Sequence, residues 1–223
     1  MTKKYISVSV MCSDLMNLGA DIDQLISLGV DWLHVDVMDS HFVPNLTFGP
    51  DFIKAMHLRT DHPLDIHLMV TNPELVMSRF KLRKGDCLTV HVELNRSFDE
   101  LSRSVRSQGC LFGLAVNPET DVDALKPHLG LFDTVTLMLV HPGYAGAKMV
   151  DGIMEKVGRT RMWLDEHGQK DVLISVDGSV SAERAQYMAS LGAQVFVGGT
   201  AGIYRKGMEL TETIPTFRKA ISL

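Results

Sequence analysis

Eight β-type apolar runs, separated by stretches patterned as amphipathic helices, occupy this chain of 223 residues from end to end. They fall at Ile6–Val10, Trp32–Val37, Leu64–Leu68, Cys87–His91, Leu111–Val116, Thr134–Met138, Val172–Val176 and Gln194–Gly198. A strand, a helix and a second strand in succession are the sequence form of a parallel βαβ unit. Eight such units predict a single (β/α)8 (TIM) barrel domain over residues 1–223, slightly below the ~250 residues common for that architecture. A doubly wound open sheet is the alternative. The regular spacing, and chemistry spread over so many strand ends, favour the barrel.

The helical patterns agree with this division. Leu18, Ile22, Leu25, Ile26 and Leu28 keep the 3–4 spacing of one buried helix face. Further helices are expected over Pro73–Leu82, Phe98–Ser107, Val150–Glu166, Ala182–Leu191 and near Met208–Ile221. Gly29, Gly85, Gly109 and Gly192 each stand just before a strand, where a left-handed residue ends a helix ahead of a short loop.

A net charge of −5, with no cluster of Lys or Arg, argues against nucleic acid as a partner. No apolar stretch approaches the ~20 residues that span a bilayer, so no membrane association is expected. The opening Met1-Thr2-Lys3-Lys4-Tyr5 carries charge without a following small-residue cleavage site, and no signal peptide is expected. Cys12, Cys87 and Cys110 are odd in number and lack C-x-x-C spacing, which fits reduced thiols in a cytoplasmic protein.

Within the strands, polar residues are few and well placed. In Trp32-Leu33-His34-Val35-Asp36-Val37-Met38-Asp39, residues two apart share a face, so His34, Asp36 and Met38 point the same way. Leu64-Asp65-Ile66-His67-Leu68-Met69 and Leu173-Ile174-Ser175-Val176-Asp177-Gly178 echo the run. Ser9, His34, Asp36, His67, His91, Asn117, Met138 and Asp177 all fall at the C-terminal ends of strands, where a barrel of this kind builds its active site. His34, Asp36, His67 and Asp177 amount to a ligand set for one divalent ion. Two imidazoles with two carboxylates suit Zn²⁺, Fe²⁺, Mn²⁺ or Co²⁺ and are poor for Ca²⁺ or Mg²⁺. Hydrogen-bonded core histidines and structural aspartates are the bland reading. Burying two carboxylates at the barrel top without a cation would be costly, which argues for the metal.

Three consecutive βα turns carry the glycine expected of an anion cradle. His141-Pro142-Gly143-Tyr144-Ala145-Gly146-Ala147-Lys148 follows the sixth strand, Gly178-Ser179 the seventh, and Gly198-Gly199-Thr200 the eighth. Backbone N–H groups at such turns hold phosphate in many barrels. No G-x-x-x-x-G-K-[ST] string is present, which excludes a nucleotide P-loop. Met38, Met69 and Met138 sit at strand ends and form an apolar belt around the mouth. The loop His41–Pro50, stiffened by two prolines, reads as a rim or lid. Ser40 stands where a tight-turn glycine is expected after Asp39.

At these residues the chain resembles the ribulose-phosphate 3-epimerase family, which includes the allulose-6-phosphate 3-epimerases. The resemblance is carried by Ser9 with Asp14-Leu15, His34 to Asp39, His41-Phe42-Val43-Pro44-Asn45, His67-Leu68-Met69-Val70, Asn117-Pro118-Glu119-Thr120, Pro142-Gly143-Tyr144 and Val176-Asp177-Gly178. It implies a (β/α)8 barrel and an isomerase that inverts C3 of a ketose phosphate through an enediolate. It implies His34, Asp36, His67 and Asp177 as ligands of one divalent metal ion, with Asp36 and Asp177 also the catalytic acid/base pair. Ser9, Met38, Met69 and Met138 match substrate-binding positions, and Gly143, Gly146, Gly178, Ser179, Gly199 and Thr200 match the phosphate-binding turns. A phosphosugar substrate and a homo-oligomer are further implications.

The chain departs from the family pattern at Val8 for proline, Ser40 for glycine, the Gly143-Tyr144-Ala145-Gly146-Ala147 loop, and Ser179 for the second glycine of D-G-G. Met11-Cys12, Asp177-Gly178-Ser179 and Gly199-Thr200-Ala201-Gly202 lean toward the allulose-6-phosphate branch. A metal-assisted aldolase or decarboxylase on a phosphosugar is one rival reading, and a non-catalytic phosphosugar-binding barrel another. No lysine lies in an expected strand to form a Schiff base, and binding alone does not need paired aspartates.

Overall fold

Eight parallel strands close on themselves in chain order in the computed structural model, which describes residues 3–222. They are β1 (Tyr5–Ser9), β2 (Trp32–Met38), β3 (Leu64–Met69), β4 (Cys87–His91), β5 (Leu111–Val116), β6 (Thr134–Met138), β7 (Leu173–Asp177) and β8 (Val195–Gly198). The architecture is the (β/α)8 barrel expected from the sequence. Met1 and Thr2, where the segment read for a signal peptide begins, lie outside the described residues, as does Leu223.

Among the described residues, seven α-helices wrap the barrel: α1 (Leu18–Ser27), α2 (Pro50–Arg59), α3 (Pro73–Met77), α4 (Asp99–Ser107), α5 (Glu155–Glu166), α6 (Ala182–Ser190) and α7 (Leu210–Ser222). A 3-10 segment, Val122–His128, takes the helix position after β5. None of these helices is long and apolar enough to cross a membrane. Gly29, Gly85, Gly109 and Gly192 all adopt positive φ, as their place before strands requires.

Beside shifts of one or two residues at other element ends, three larger differences from the sequence expectation each have a local reason. Pro50, read as a loop stiffener, is instead the first residue of α2, where its fixed φ and missing N–H do no harm. Helix α3 stops at Met77 rather than Leu82, because Phe80 and Leu82 are both buried, and residues two apart share a side only in extended chain. Helix α5 begins at Glu155 rather than Val150, since Gly152 sits at φ +73°.

The outward faces of the strands are apolar. Ile6, Val8, Leu33, Val35, Ile66, Leu68, Val90, Leu114, Val135, Ile174 and Phe196 are fully buried and join one core with helix residues such as Leu25, Ile53, Val105, Leu164, Met188 and Phe217. Each such side chain contributes about 1.5–3 kcal/mol, so this shell holds the barrel together. The alternate residues face inward and are mostly polar: Ser7, His34, Asp65, Thr89, Thr134 and Ser175 are all buried. Packing there is tight: a Cβ on Gly113 would lie 2.4 Å from the hydroxyls of both Thr89 and Thr134. Buried polar groups cost about 1–3 kcal/mol each when unpaired, so the interior depends on its hydrogen bonds.

Candidate active site

Strand register assembles the cluster. Between β2 and β3, His34 lies beside Asp65, Asp36 beside His67, and Met38 beside Met69. On the other flank of β2, Ser9 lies beside His34. Asp177 ends β7 beside Met138 of β6. A slip of one residue in any of these ladders would turn the ligands to the opposite face of the sheet.

His34, Asp36, His67 and Asp177 each bring one ligand atom into a group lying within 4.8 Å of one another. His34 Nε2 is 3.2 Å from Asp36 Oδ1 and 3.8 Å from Asp177 Oδ2. His67 Nδ1 is 3.7 Å from the same two carboxylate oxygens. Ligand atoms held ~2.0–2.2 Å from a metal in a tetrahedral array lie roughly 3.3–3.6 Å apart, so the spacing fits one ion. The donor set agrees, and so does His67 Nδ1, a buried nitrogen left without a hydrogen-bond partner.

The charges within the cluster oppose its burial. Burial alone would lower the His34 imidazole, but the adjacent Asp36 and Asp65 carboxylates raise it well above the ordinary histidine value. Burial likewise lowers His67, and the Asp177 and Asp36 carboxylates again reverse the direction. For Asp36 burial pushes upward, yet His34 and His67 hold it well below the carboxylate range. Protons and a metal cation therefore compete for the same imidazole lone pairs.

An outer ring of hydrogen bonds fixes these side chains. His34 Nδ1 lies 2.7 Å from Asp65 Oδ2, which also accepts the Ser7 hydroxyl at 2.8 Å. Ser9 donates to Asp36 Oδ2 at 2.8 Å. His91 is fully buried, and burial pushes it down to about 4 despite the neighbouring Glu93. Glu93 is itself held near 2, where bonds from His91, Thr120 and the Asn117 N–H outweigh its burial. Sequence reading did not assign Asp65 a role. Its signal was present, since it stands two residues before His67 on the same strand face.

Above the cluster lies a cleft. Ser9, Met38, Met69 and Met138 line its floor and walls together with Asp36 and Asp177. Gly143, Gly146, Gly178, Ser179, Gly199 and Thr200 line it as well, so all six expected phosphate-turn residues border the same space. Gly143, Gly146 and Gly178 adopt positive φ, and a Cβ on Gly178 would lie 2.5 Å from Val140. Cys12, Val140 and Tyr144 are among the lining residues that the sequence did not mark for a site role. Tyr144 donates its hydroxyl to the Pro44 carbonyl at 2.5 Å, and Asn45 donates its amide to the Gly143 carbonyl at 2.7 Å. The loop after β2 thus meets the loop after β6 across the rim.

Comparison with known proteins follows the same lines. The model of the ribulose-phosphate 3 epimerase family matches residues 5–203. A ribulose-phosphate 3-epimerase of Bacillus subtilis is 36% identical over 196 residues, covering 88% of this chain and 90% of that protein. One from Escherichia coli is 33% identical over 202 residues, covering 90% of this chain and 89% of that one. Among solved structures, Mycobacterium tuberculosis tryptophan synthase aligns with a TM-score of 0.67 at 13% identity, over 99% of this chain and 93% of that one. A 3-hexulose-6-phosphate synthase from Salmonella typhimurium aligns with a TM-score of 0.63 at 15% identity, over 98% of both chains. These two likenesses are of fold alone.

Proposed function

The chain belongs to the ribulose-phosphate 3-epimerase family, and we propose that it is a metal-dependent ketose-phosphate 3-epimerase. The reaction inverts C3 of D-ribulose 5-phosphate to give D-xylulose 5-phosphate, or of D-allulose 6-phosphate to give D-fructose 6-phosphate. The observation that carries this reading is the sharing of one ligand cluster by Asp36 of β2 and Asp177 of β7, strands separated round the barrel by β1 and β8.

Inversion at C3 requires one group to remove the proton α to the C2 carbonyl and a second to return a proton to the opposite face. Asp36, anionic in its surroundings, takes the C3 proton in one direction. The C–H electron pair moves into the C2–C3 bond and charge develops on the carbonyl oxygen. Asp177 enters this half of the cycle protonated, delivers that proton to the other face and is left as the carboxylate. Exchange with solvent then resets the pair, and the two exchange roles in the reverse direction. His34, Asp36, His67 and Asp177 would hold a divalent ion, which when bound would supply electrophilic stabilisation of the negative charge that develops. Ser9, by donating to Asp36 Oδ2, keeps that carboxylate aimed into the cleft. Met38, Met69 and Met138 exclude water from the planar intermediate, and the glycine turns at 143–146, 178–179 and 199–200 receive the phosphate through backbone N–H groups.

The six-carbon substrate is kept beside the five-carbon one because Met11 and Cys12, which lean toward the allulose-6-phosphate branch, line the cleft. The test is NMR in D₂O with metal-replete protein, offering both sugars in parallel. Deuterium at C3 together with the epimeric product supports the reaction, and the faster sugar identifies the substrate. Absence of exchange with either, in protein that holds metal, overturns it. Release of a smaller fragment points to aldol or decarboxylase chemistry instead.

A further inference from the structure

His91 closes β4 fully buried, has no place in the four-residue cluster, and nevertheless touches it. Its ring lies nearly parallel to that of His67, with centroids 5.0 Å apart and an interplanar angle of 20°. The Nε2 atoms of the two rings are 2.9 Å apart. Two nitrogens at that distance share one hydrogen, so one ring donates and the other accepts.

The far side of His91 decides which. Its Nδ1 lies 3.1 Å from Glu93 Oε2. A carboxylate only accepts, so the hydrogen is on His91 Nδ1 and, in a neutral ring, Nε2 is bare. His67 Nε2 must then donate. A neutral His67 is left with its lone pair on Nδ1, the atom facing Asp36 and Asp177 with no hydrogen-bond partner.

Glu93 is itself well held. Its Oε1 accepts the Asn117 N–H at 2.7 Å. Lys156 Nζ pins the same loop by donating to the carbonyls of Asn117, Pro118 and Thr120 at 2.7, 3.2 and 2.6 Å.

We propose that Glu93 is a positioning residue that acts through His91 to set the tautomer of His67, so that the His67 Nδ1 lone pair faces the metal. The inference rests on the reading of His67 as a metal ligand. Glu93 touches neither metal nor substrate in this scheme, and its effect travels through two hydrogen bonds.

The logic predicts an unusual order of severity. Glu93→Gln is nearly isosteric. Because the Asn117 N–H requires an acceptor, the new amide keeps its oxygen there and turns its NH₂ toward His91. His91 must then accept at Nδ1 and donate at Nε2, which forces the hydrogen of His67 onto Nδ1 and blocks it. His91→Gln changes shape far more but preserves direction, with its amide N–H donating to Glu93 and its amide oxygen accepting from His67.

Metal affinity, measured by competition with a chelator, is therefore expected to fall about 10–100-fold in Glu93→Gln, the usual range for an outer-shell partner. In His91→Gln it should stay within a few-fold of the unsubstituted protein. A merely structural role for the pair gives the opposite order, and that result overturns the proposal. Nitrogen-15 NMR of the zinc-loaded protein in mildly alkaline buffer should find His91 protonated at Nδ1 and bare at Nε2. The reverse assignment also overturns it. The two readings separate cleanly. Protein that binds metal and shows the predicted order, yet epimerises neither sugar, keeps the relay and loses the proposed function. Active enzyme whose Glu93→Gln variant binds metal unchanged loses the relay alone. Protein that binds no metal removes His67 as a ligand and the relay with it.

Discussion

His34 Nδ1 lies 2.7 Å from Asp65 Oδ2, and the two residues are direct neighbours in the β2–β3 register. The same register puts Asp36 beside His67 one step further along. Each imidazole of the cluster thus has a strand neighbour of opposite charge, and the Asp65 bond places the His34 hydrogen on Nδ1 and leaves Nε2 for a metal. Asp65→Asn keeps an oxygen for both Ser7 and His34 but removes the charge. We expect metal affinity about 10-fold lower, read by chelator competition, with the fold retained. Asp65→Leu leaves both donors unpaired at about 1–3 kcal/mol each, and chemical denaturation should register that loss. Unchanged metal binding in Asp65→Asn would deny Asp65 its part in orienting His34.

Asp36→Asn and Asp177→Asn remove the proposed acid/base groups with little change of shape. Positioned proton transfer is worth ~10²–10⁴-fold, so kcat should fall by at least that much in each. The measurement is epimerisation at saturating substrate and added metal, with deuterium exchange at C3 followed separately. Wild-type-like exchange in either variant would sink that residue's assignment.

Asp39 governs a pH dependence of stability. Burial would raise its carboxyl, but bonds from Thr71, Phe42 and His41 hold it near 2, against an ordinary value of 3.8. A carboxyl depressed in the folded state adds stability above its unfolded value and loses it as pH falls toward the folded one. In urea titrations, the stability gap between unsubstituted protein and Asp39→Asn should therefore be constant above about pH 5 and close progressively toward about pH 2. A gap independent of pH would show that these bonds do not discriminate between the charged and neutral carboxyl.

Much of this molecule could be read from the chain because a charge inside a doubly buried parallel strand is conspicuous. His34, Asp36, His67 and Asp177 interrupt apolar runs, and the structure brings them together. Asp65 interrupts its run in the same way but sits lower on the strand, away from the C-terminal end where site residues were sought. The partnership of His91 with His67 was not legible, because it joins the inward faces of the neighbouring strands β3 and β4 and no spacing along the chain encodes it. The polar interior layer of Ser7, Thr89, Thr134 and Ser175 was hidden for a related reason. Small hydroxyl residues alternating with valine and leucine look like ordinary strand composition. Helix α2 was missed because Pro50 is equally at home stiffening a loop or opening a helix.

Gly113 is the point where that hidden layer becomes testable. A Cβ there would stand 2.4 Å from the hydroxyls of both Thr89 and Thr134 and 3.2 Å from the Thr89 Cβ. Overpacking of this kind costs typically ~1–3 kcal/mol. Gly113→Ala should be destabilised by that amount in thermal or chemical unfolding, with metal affinity little changed because the cluster lies nearer the strand ends. Gly113→Ala combined with Thr89→Ser and Thr134→Ser keeps the same crowded hydroxyls and should not recover. Combination with Thr89→Ala and Thr134→Ala should recover part of the loss.

Ser40 and Ser179 share a strained backbone but not a compensation. Ser40 stands at φ +58° and Ser179 at φ +53°, the left-handed region that glycine enters freely. Both are sites where the family pattern has glycine. The left-handed conformation costs an ordinary residue roughly 1–2 kcal/mol, offset in part by the lower unfolded-state entropy of a non-glycine residue. Ser179 recovers some of this through Arg184, whose guanidinium donates to its hydroxyl and to its carbonyl, each at 2.8 Å. The Ser40 backbone N–H is bonded to the Asn45 carbonyl at 2.9 Å, but its exposed hydroxyl has no such partner. Ser40→Gly should therefore raise stability by about 0.5–1 kcal/mol, while Ser179→Gly gains less because the Arg184–hydroxyl bond is lost. Paired denaturant titrations decide it: equal gains at both sites would mean that the Arg184 bond contributes nothing net, and a loss at Ser40 would mean that the turn is not strained by its side chain.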